Sequence, residues 1–263
     1  MQIKGISKEY MSELLNRKER IDKRSFMDYR NISIKTNVIP HAEGSASVYL
    51  GDTYVLAGVK LDVGEPMQDK PDEGTLTTSA ELLPMASAEY EEGPPSPEAV
   101  EFARVVDRGI RAAELIDMPA LFIEENKVWN VYVDIYVLNY DGNLFDAGTL
   151  ASVAALLSCR MPKLEGKEII REGALPRLKT KGLVTSCTFA KIGESILLDP
   201  SGTEESFMNA RFTVANDENY IRAMQKGLSG YFTRQEIERL IDTSFEKSKT
   251  LRKIVEEAVK SGD

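Results

Sequence analysis

Three arginines in one helix-forming stretch are the sharpest chemical feature of this sequence. In FARVVDRGIRAAEL, Arg104, Arg108 and Arg111 fall at i, i+4 and i+7. A helix projects them from one face and turns Phe102, Val106, Ile110 and Ala113 toward a core. Guanidinium groups grip phosphate oxygens as two-pronged forks. The same spacing also describes an ordinary solvated helix face, with Glu101, Asp107 and Glu114 placed to pair along it. Spacing alone favours the solvated face. A second cluster lies in LLDPSGTEESFMNARF, where Asp199, Glu204 and Glu205 surround a Pro-Ser-Gly turn. Clustered acids can hold Mg²⁺ or exchange protons, yet the ordinary role of such residues is the polar rim of a turn. That rim is the expectation here. The third feature is a strand, a glycine turn and a helix at Tyr140-Asp141-Gly142-Asn143-Leu144-Phe145-Asp146. A helix N-terminus behind a glycine can hold an anion, but Leu144, Phe145 and Asp146 at its mouth oppose phosphate.

Other chemistries are poorly served. His41 stands in Ala-Glu-Gly-Ser surroundings with no nucleophile to activate, and a histidine without partners is more often structural or exposed than catalytic. Cys159 and Cys187 are the only cysteines, and neither has a neighbouring thiol or histidine cluster, so a cysteine-rich zinc site is excluded. No Walker loop or dinucleotide fingerprint occurs. Of the 263 residues 42% are hydrophobic and 29% charged, the balance of a soluble globular chain. The net charge of −9 argues against a protein that coats nucleic acid by bulk electrostatics, so any RNA contact needs a local basic patch. The opening MQIKGISKEYMSELLNRKER has no signal-like apolar core, and no stretch is long and apolar enough to span a bilayer. A cytoplasmic, reducing location is expected.

The elements that position these residues can be read from periodicity. Ser7 is expected to cap a helix reaching Arg20, followed by the basic loop RIDKRSFMDYR. Strands are expected over 31–39, 45–50, 53–61 and 75–86, the middle two forming a hairpin around Gly51-Asp52. Ser96-Pro97 predicts the start of a helix running to Ile116. The apolar run 128–140 predicts a central strand covered on both faces, and Asp146 is the expected cap of the small-residue helix AGTLASVAALLS. Further strands are expected over 183–192, 195–199 and 205–215. An amphipathic helix over 234–260 closes the chain, with Ile237, Leu240, Ile241, Ser244, Leu251, Ile254, Val255 and Ala258 on its stripe. The pattern is α+β, in two β-then-α blocks. Three parts are expected: 1–30, a helix and basic arm; 31–175, a first half; and 176–263, a second half with the long helix.

Taken together, RIDKRSFMDYR, EGSASVYLGDTYVLAGVKL, ELLPMASAEYEEGPPSPEAVEFARVVDRGIRAAELID, VWNVYVDIYVLNYDGNLFDAGTLASVAALLS and ILLDPSGTEES resemble, in order, the RNase PH family and its catalytically silent ring subunit in the archaeal exosome. The resemblance implies an RNase PH-like fold, two βα-type halves packed into one unit. It also implies where the family's chemistry would sit. Active members carry Arg-x-Asp-Gly-Arg where this chain has Lys23 at the glycine position. They carry Gly-Thr/Ser-Arg, with a phosphate-holding arginine, where this chain has Gly142, Asn143 and Leu144. They place two aspartates six residues apart where this chain has Glu205 and Arg211, and a cation at a metal-ligand position repels the ion. The resemblance therefore implies no catalytic residue, no metal and no cofactor. Its implied partners are an active RNase PH-like subunit, paired with this one and trimerised into a hexameric ring, together with RNA-binding cap subunits and single-stranded RNA, with no membrane. Arg104 and Arg108 fall where such a subunit contacts the RNA backbone, with Arg111 a turn beyond. Two alternatives stay open: a phosphate-dependent 3′-5′ exoribonuclease in its own right, argued by Asp199 and Glu205, and a stand-alone RNA-binding module.

Overall fold

A computed structural model describes residues 7–166 and 168–262. The expected N-terminal arm over 1–30 is described from Ser7 onward, and its first six residues lie outside the described residues. Two sheets organise the chain. β1 (Ile32–Thr36), β2 (Gly44–Leu50), β3 (Thr53–Gly64), β4 (Thr75–Leu82), β5 (Phe122–Glu124) and β6 (Lys127–Asn139) form the first, in the order β1-β2-β3-β6-β4 with β5 on β6. Only β4 runs parallel to its neighbour, β6, and the connection that parallel pairing demands is made through α2 (Pro97–Ala112). β7 (Lys163–Glu165) and β8 (Glu168–Ile170) make a small ribbon. β9 (Thr185–Ile192), β10 (Ser195–Leu198), β11 (Ala210–Asn216) and β12 (Ile221–Gly227) form the second sheet, in the order β10-β9-β11-β12. This is the α+β architecture of two halves that the sequence implies.

Between the sheets runs α3 (Leu144–Ser158), packed on β2, β3, β9 and α2. Its buried residues lie on every side of the helix, which explains its alanine, glycine and serine content: neighbours on all sides must approach closely. One exposed face would have required polar side chains. The long helix α5 (Arg234–Ser261) begins with a capping box, Thr233 with Glu236, and buries Leu240, Ser244, Leu251 and Val255. α1 (Lys8–Asn16) is capped by Ser7, whose hydroxyl accepts from the Tyr10 N–H.

Several expectations need correction. α1 stops at Asn16, four residues before Arg20, because Lys18 turns to positive φ. α2 stops at Ala112 because Glu114 is left-handed, so the helix does not reach Ile116. The central strand β6 is buried on one face only, with Tyr132 exposed on the other; its tyrosines gave it an apolar look without a second covering layer. Asp146 is not the cap of α3. Asn143 is, in the left-handed region at φ 54°, and Asp146 sits inside the first turn. Glu205 is helical, in α4 (Gly202–Glu205), so the strand expected from 205 begins only at Ala210. Among the described residues no helix is long and apolar enough to cross a membrane.

Candidate functional site

The acids of the Asp199 turn are not a solvated rim. Asp199 and Glu204 are buried, and the basic loop that precedes β1 folds onto them. Arg20 forks onto Glu204, Nε to Oε1 at 2.8 Å and Nη2 to Oε2 at 2.5 Å, and also donates to the carbonyls of Leu198 and Asp199, each at 2.9 Å. Asp199 accepts from Arg24 at 2.8 Å, from Arg30 at 2.8 and 3.0 Å, and from the Asn143 amide at 2.7 Å. Burial pushes the Asp199 carboxyl up, but the hydrogen bond and charge of Arg30, with the charge of Arg24, hold it below its ordinary value. Glu204 closes a capping box on α4 with Ser201. Both carboxylates are spent on arginines. The expected rim is overturned because the counter-charges come from residues 169 to 184 positions away.

Beside this network lies the strand-turn-helix at Gly142. Gly142 adopts φ +83°, and a Cβ there would come within 2.5 Å of the Pro200 carbonyl, so only glycine lets the two turns meet. The next residue, Asn143, gives its N–H at the mouth of α3 to Glu205 Oε1 at 2.9 Å. Tyr140 donates its hydroxyl to the other oxygen of Glu205. Burial raises the Glu205 pKa, and the bonds from Tyr140 and Asn143 only partly offset it. Leu144 is buried. Asp146 is buried too and accepts from Thr188 N and Oγ1, Tyr29 and Asn143. Arg211, on β11, binds Glu101 at 2.6 Å, and its guanidinium carbon stands over the Phe145 ring, 4.1 Å from the centroid.

These residues do not fit a divalent metal. Asp199 and Glu204 have no free oxygens for one, and Glu205 is hydrogen-bonded and within the field of Arg211. Among the described residues no group of three or more metal-ligating side chains occurs. They do not fit an inorganic phosphate either. A carboxylate already takes the N–H at the start of α3, and Leu144 offers no charge.

The three arginines of α2 are exposed but do not act as one ladder. Arg108 donates to Gln225 of β12 at 3.2 Å. With Arg104, Pro95, Val100 and Gln225 it lines an open groove of about 490 Å³. Among the described residues Arg104 has no hydrogen-bond or ion-pair partner. Arg111 turns the other way, to Asp107 at 2.6 Å and to the Leu76 carbonyl on β4, and lines a separate cavity with Met67, Met118 and Lys181.

Two family models cover most of the chain. Domain 1 of the 3′ exoribonuclease family, RNase PH, matches residues 28–162, and domain 2 matches residues 182–247. The chain belongs to the RNase PH family. Within it, the chain is similar to the exosome complex component Rrp42 of Thermococcus gammatolerans, 47% identical with 98% of this chain and 96% of that one covered. Among solved structures it is similar to a chain of the Archaeoglobus fulgidus exosome with RNA bound to the active site, with a TM-score of 0.86, 40% identity, and 94% and 96% of the two chains covered. A chain of an archaeal exosome core gives a TM-score of 0.84 at 38% identity, covering 95% and 96%.

For an RNase PH fold, the residues that sequence reasoning passed over are Arg20, Arg24, Arg30, Tyr29 and Thr188, which hold the acids. Their signal was a run of arginines in a strongly acidic chain, which implies counter-charges somewhere. Lys23 adopts φ +65°, in the left-handed region that favours glycine. His41 is exposed. Cys159 and Cys187 are buried and unpaired, and burial pushes both thiols up to about 12.

Proposed function

We propose that this chain is a non-catalytic ring subunit of an exosome, the 3′-5′ RNA-degrading complex. It pairs with an active RNase PH-like subunit, three pairs closing a hexameric ring that carries RNA-binding caps. Its own share of the work is to complete the ring, shape the neighbour's site, and present Arg104 and Arg108 to the phosphates of single-stranded RNA threading past. Such contacts hold the strand without reading its sequence.

One observation carries this reading: at the positions that the family resemblance assigns to phosphate and metal stand a buried Leu144 and Arg211, an arginine already paired with Glu101. Phosphorolysis depends on placing and neutralising anionic oxygens, and neither group does so. Arg104, unpartnered in its groove on an acidic body, supports the RNA contact by local attraction. Arg111 is left to bind α2 to β4.

The test uses this chain co-expressed with the active RNase PH-like subunit of the same genome. The isolated chain given poly(A), Mg²⁺ and phosphate should release no nucleoside diphosphate, whereas the pair should. Arg104→Glu with Arg108→Glu should leave assembly intact, slow degradation, and flatten the salt dependence of RNA binding by about one unit per lost phosphate contact. Nucleoside diphosphate from the isolated chain would refute the proposal, and unchanged degradation by the double variant would refute the clamp.

A further inference from the structure

Two acids stand within pairing reach of Arg104 on α2: Glu101, three residues before it, and Asp107, three residues after. On an ordinary helix face such neighbours would neutralise it. Neither does so. Asp107 accepts from Arg111 at 2.6 Å and, through its other oxygen, from Thr78 Oγ1 at 3.0 Å. Glu101 is drawn off the helix face: its Oε1 accepts from Arg211 Nη2 at 2.6 Å and from Gln225 Nε2 at 3.4 Å. The Gln225 oxygen in turn accepts from Arg108 Nη1 at 3.2 Å. A continuous chain of hydrogen bonds therefore links Arg211, Glu101, Gln225 and Arg108. It has one direction. A carboxylate only accepts and a guanidinium only donates, so the amide must turn its NH2 to Glu101 and its oxygen to Arg108.

The start of this chain is built into the fold. The Arg211 side chain is only 12% exposed, and its guanidinium carbon stands over the Phe145 ring. Gly227 faces Arg211 in the register of β11 and β12, and a Cβ there would come within 2.7 Å of Arg211 Nη2. Gly227 has no positive φ, so the room it leaves for the guanidinium accounts for the glycine. With little water to compete, Arg211 holds Glu101 more strongly than the exposed Arg104 could. Resting on the clamp reading above, we infer that Arg211 is a positioning residue for RNA, keeping the Glu101 carboxylate off Arg104 and, through Gln225, holding Arg108 in the same groove. Arg104 is left with its whole fork for phosphate oxygens. Arg108, fixed at one nitrogen, loses less freedom when it grips one.

Steady-state degradation of poly(A) by the co-expressed pair, with ring assembly checked by size, tests this role. Arg211→Met, which keeps bulk over Phe145, should raise KM about tenfold, the worth of one charge-assisted contact, and leave kcat at the wild-type value. It should also flatten the salt dependence of RNA binding by about one unit. Adding Glu101→Gln should restore both KM and slope, because no carboxylate is left to occupy Arg104. Adding Glu98→Gln instead restores the same net charge without freeing Arg104, and should restore neither. Arg211→Lys keeps a cation for Glu101 and should recover most of the affinity. Equal rescue by Glu98→Gln would reduce the effect to net charge and overturn the inference. So would a wild-type KM for Arg211→Met while Arg104→Glu with Arg108→Glu is impaired. Should Arg211→Met not assemble, Gln225→Met, which cuts the chain of bonds and spares the ion pair, decides: KM should rise there too, and a wild-type KM overturns the inference. An unimpaired Arg104→Glu, Arg108→Glu variant would instead remove the clamp reading, and the positioning role with it.

Discussion

Arg20 and Glu204 meet as a two-pronged ion pair sealed from solvent, although 184 residues separate them in the chain. The pair binds the loop before the first sheet to the short helix after β10, so it is a joint between distant parts of the fold. Its remaining hydrogen bonds go to the Leu198 and Asp199 carbonyls and to the Ser201 N–H, which leaves few unmet donors or acceptors.

Removing Arg20 leaves the buried Glu204 carboxylate with only the more distant Arg24, at 3.8 Å, as counter-ion. Arg20→Met should therefore lower stability by about 3–5 kcal/mol in urea unfolding. Arg20→Met with Glu204→Met should lie closer to wild type than the single change, because no lone charge remains. A single variant within 1 kcal/mol of wild type, by the same order-of-magnitude reasoning, would show that the charge finds water.

Gly148 on α3 and Phe102 on α2 are in direct contact, and a Cβ on Gly148 would come within 2.3 Å of the Phe102 ring. Gly148→Ala should destabilise the chain by about 1–3 kcal/mol through overpacking. Phe102 sits two residues before Arg104, so the displaced helix should also slow RNA degradation by the reconstituted pair. Gly148→Ala combined with Phe102→Leu should recover both stability and rate. Failure of the second change to restore either would mean that the ring contact is not what limits the site.

Asp146 responds to pH in the sense opposite to Asp199. Burial pushes its carboxyl up to about 6, against the hydrogen bonds from Asn143, Thr188 and Tyr29. The folded chain therefore takes up this proton before the unfolded one does. Stability from this group is present near the ordinary value of 3.8 and is lost as pH rises through about 6. Asp199, held low, contributes stability that is lost as pH falls below its ordinary value. Urea unfolding of wild type across this window should show the Asp146 slope, and Asp146→Asn, which cannot titrate, should not. A carbon-13 titration of the Asp146 carboxyl that moves only near its ordinary value would refute the assignment.

Much of the fold was legible because it is written locally. Ser96-Pro97 does cap α2, Gly51-Asp52 does join β2 to β3, and the stripe of α5 is the buried one. β12 escaped notice because its sequence, IRAMQKG, neither alternates nor runs apolar; its strand form comes from pairing with β11. The site was harder still. Arg20, Arg24 and Arg30 look like a solvated basic loop until the fold brings them to Asp199 and Glu204, and no local pattern carries a contact over that separation. The arginines of α2 show the complementary failure. Helical spacing set Arg111 beside its neighbours, but a carbonyl on β4 drew the side chain away. Leu144 stood out by itself only as an apolar group at a helix mouth, and Arg211 was singled out by the family resemblance alone, because a missing chemical group is visible only against a filled position.

The closing helix has a mechanical consequence. α5 runs about 42 Å for its 28 residues and touches β1 of one sheet, β9 and β11 of the other, and α3 between them. Lys247 also pins it to Asp28 at 3.0 Å. A rod fastened to both halves works as a splint, so a push on either half is passed to the other instead of being absorbed by bending between them.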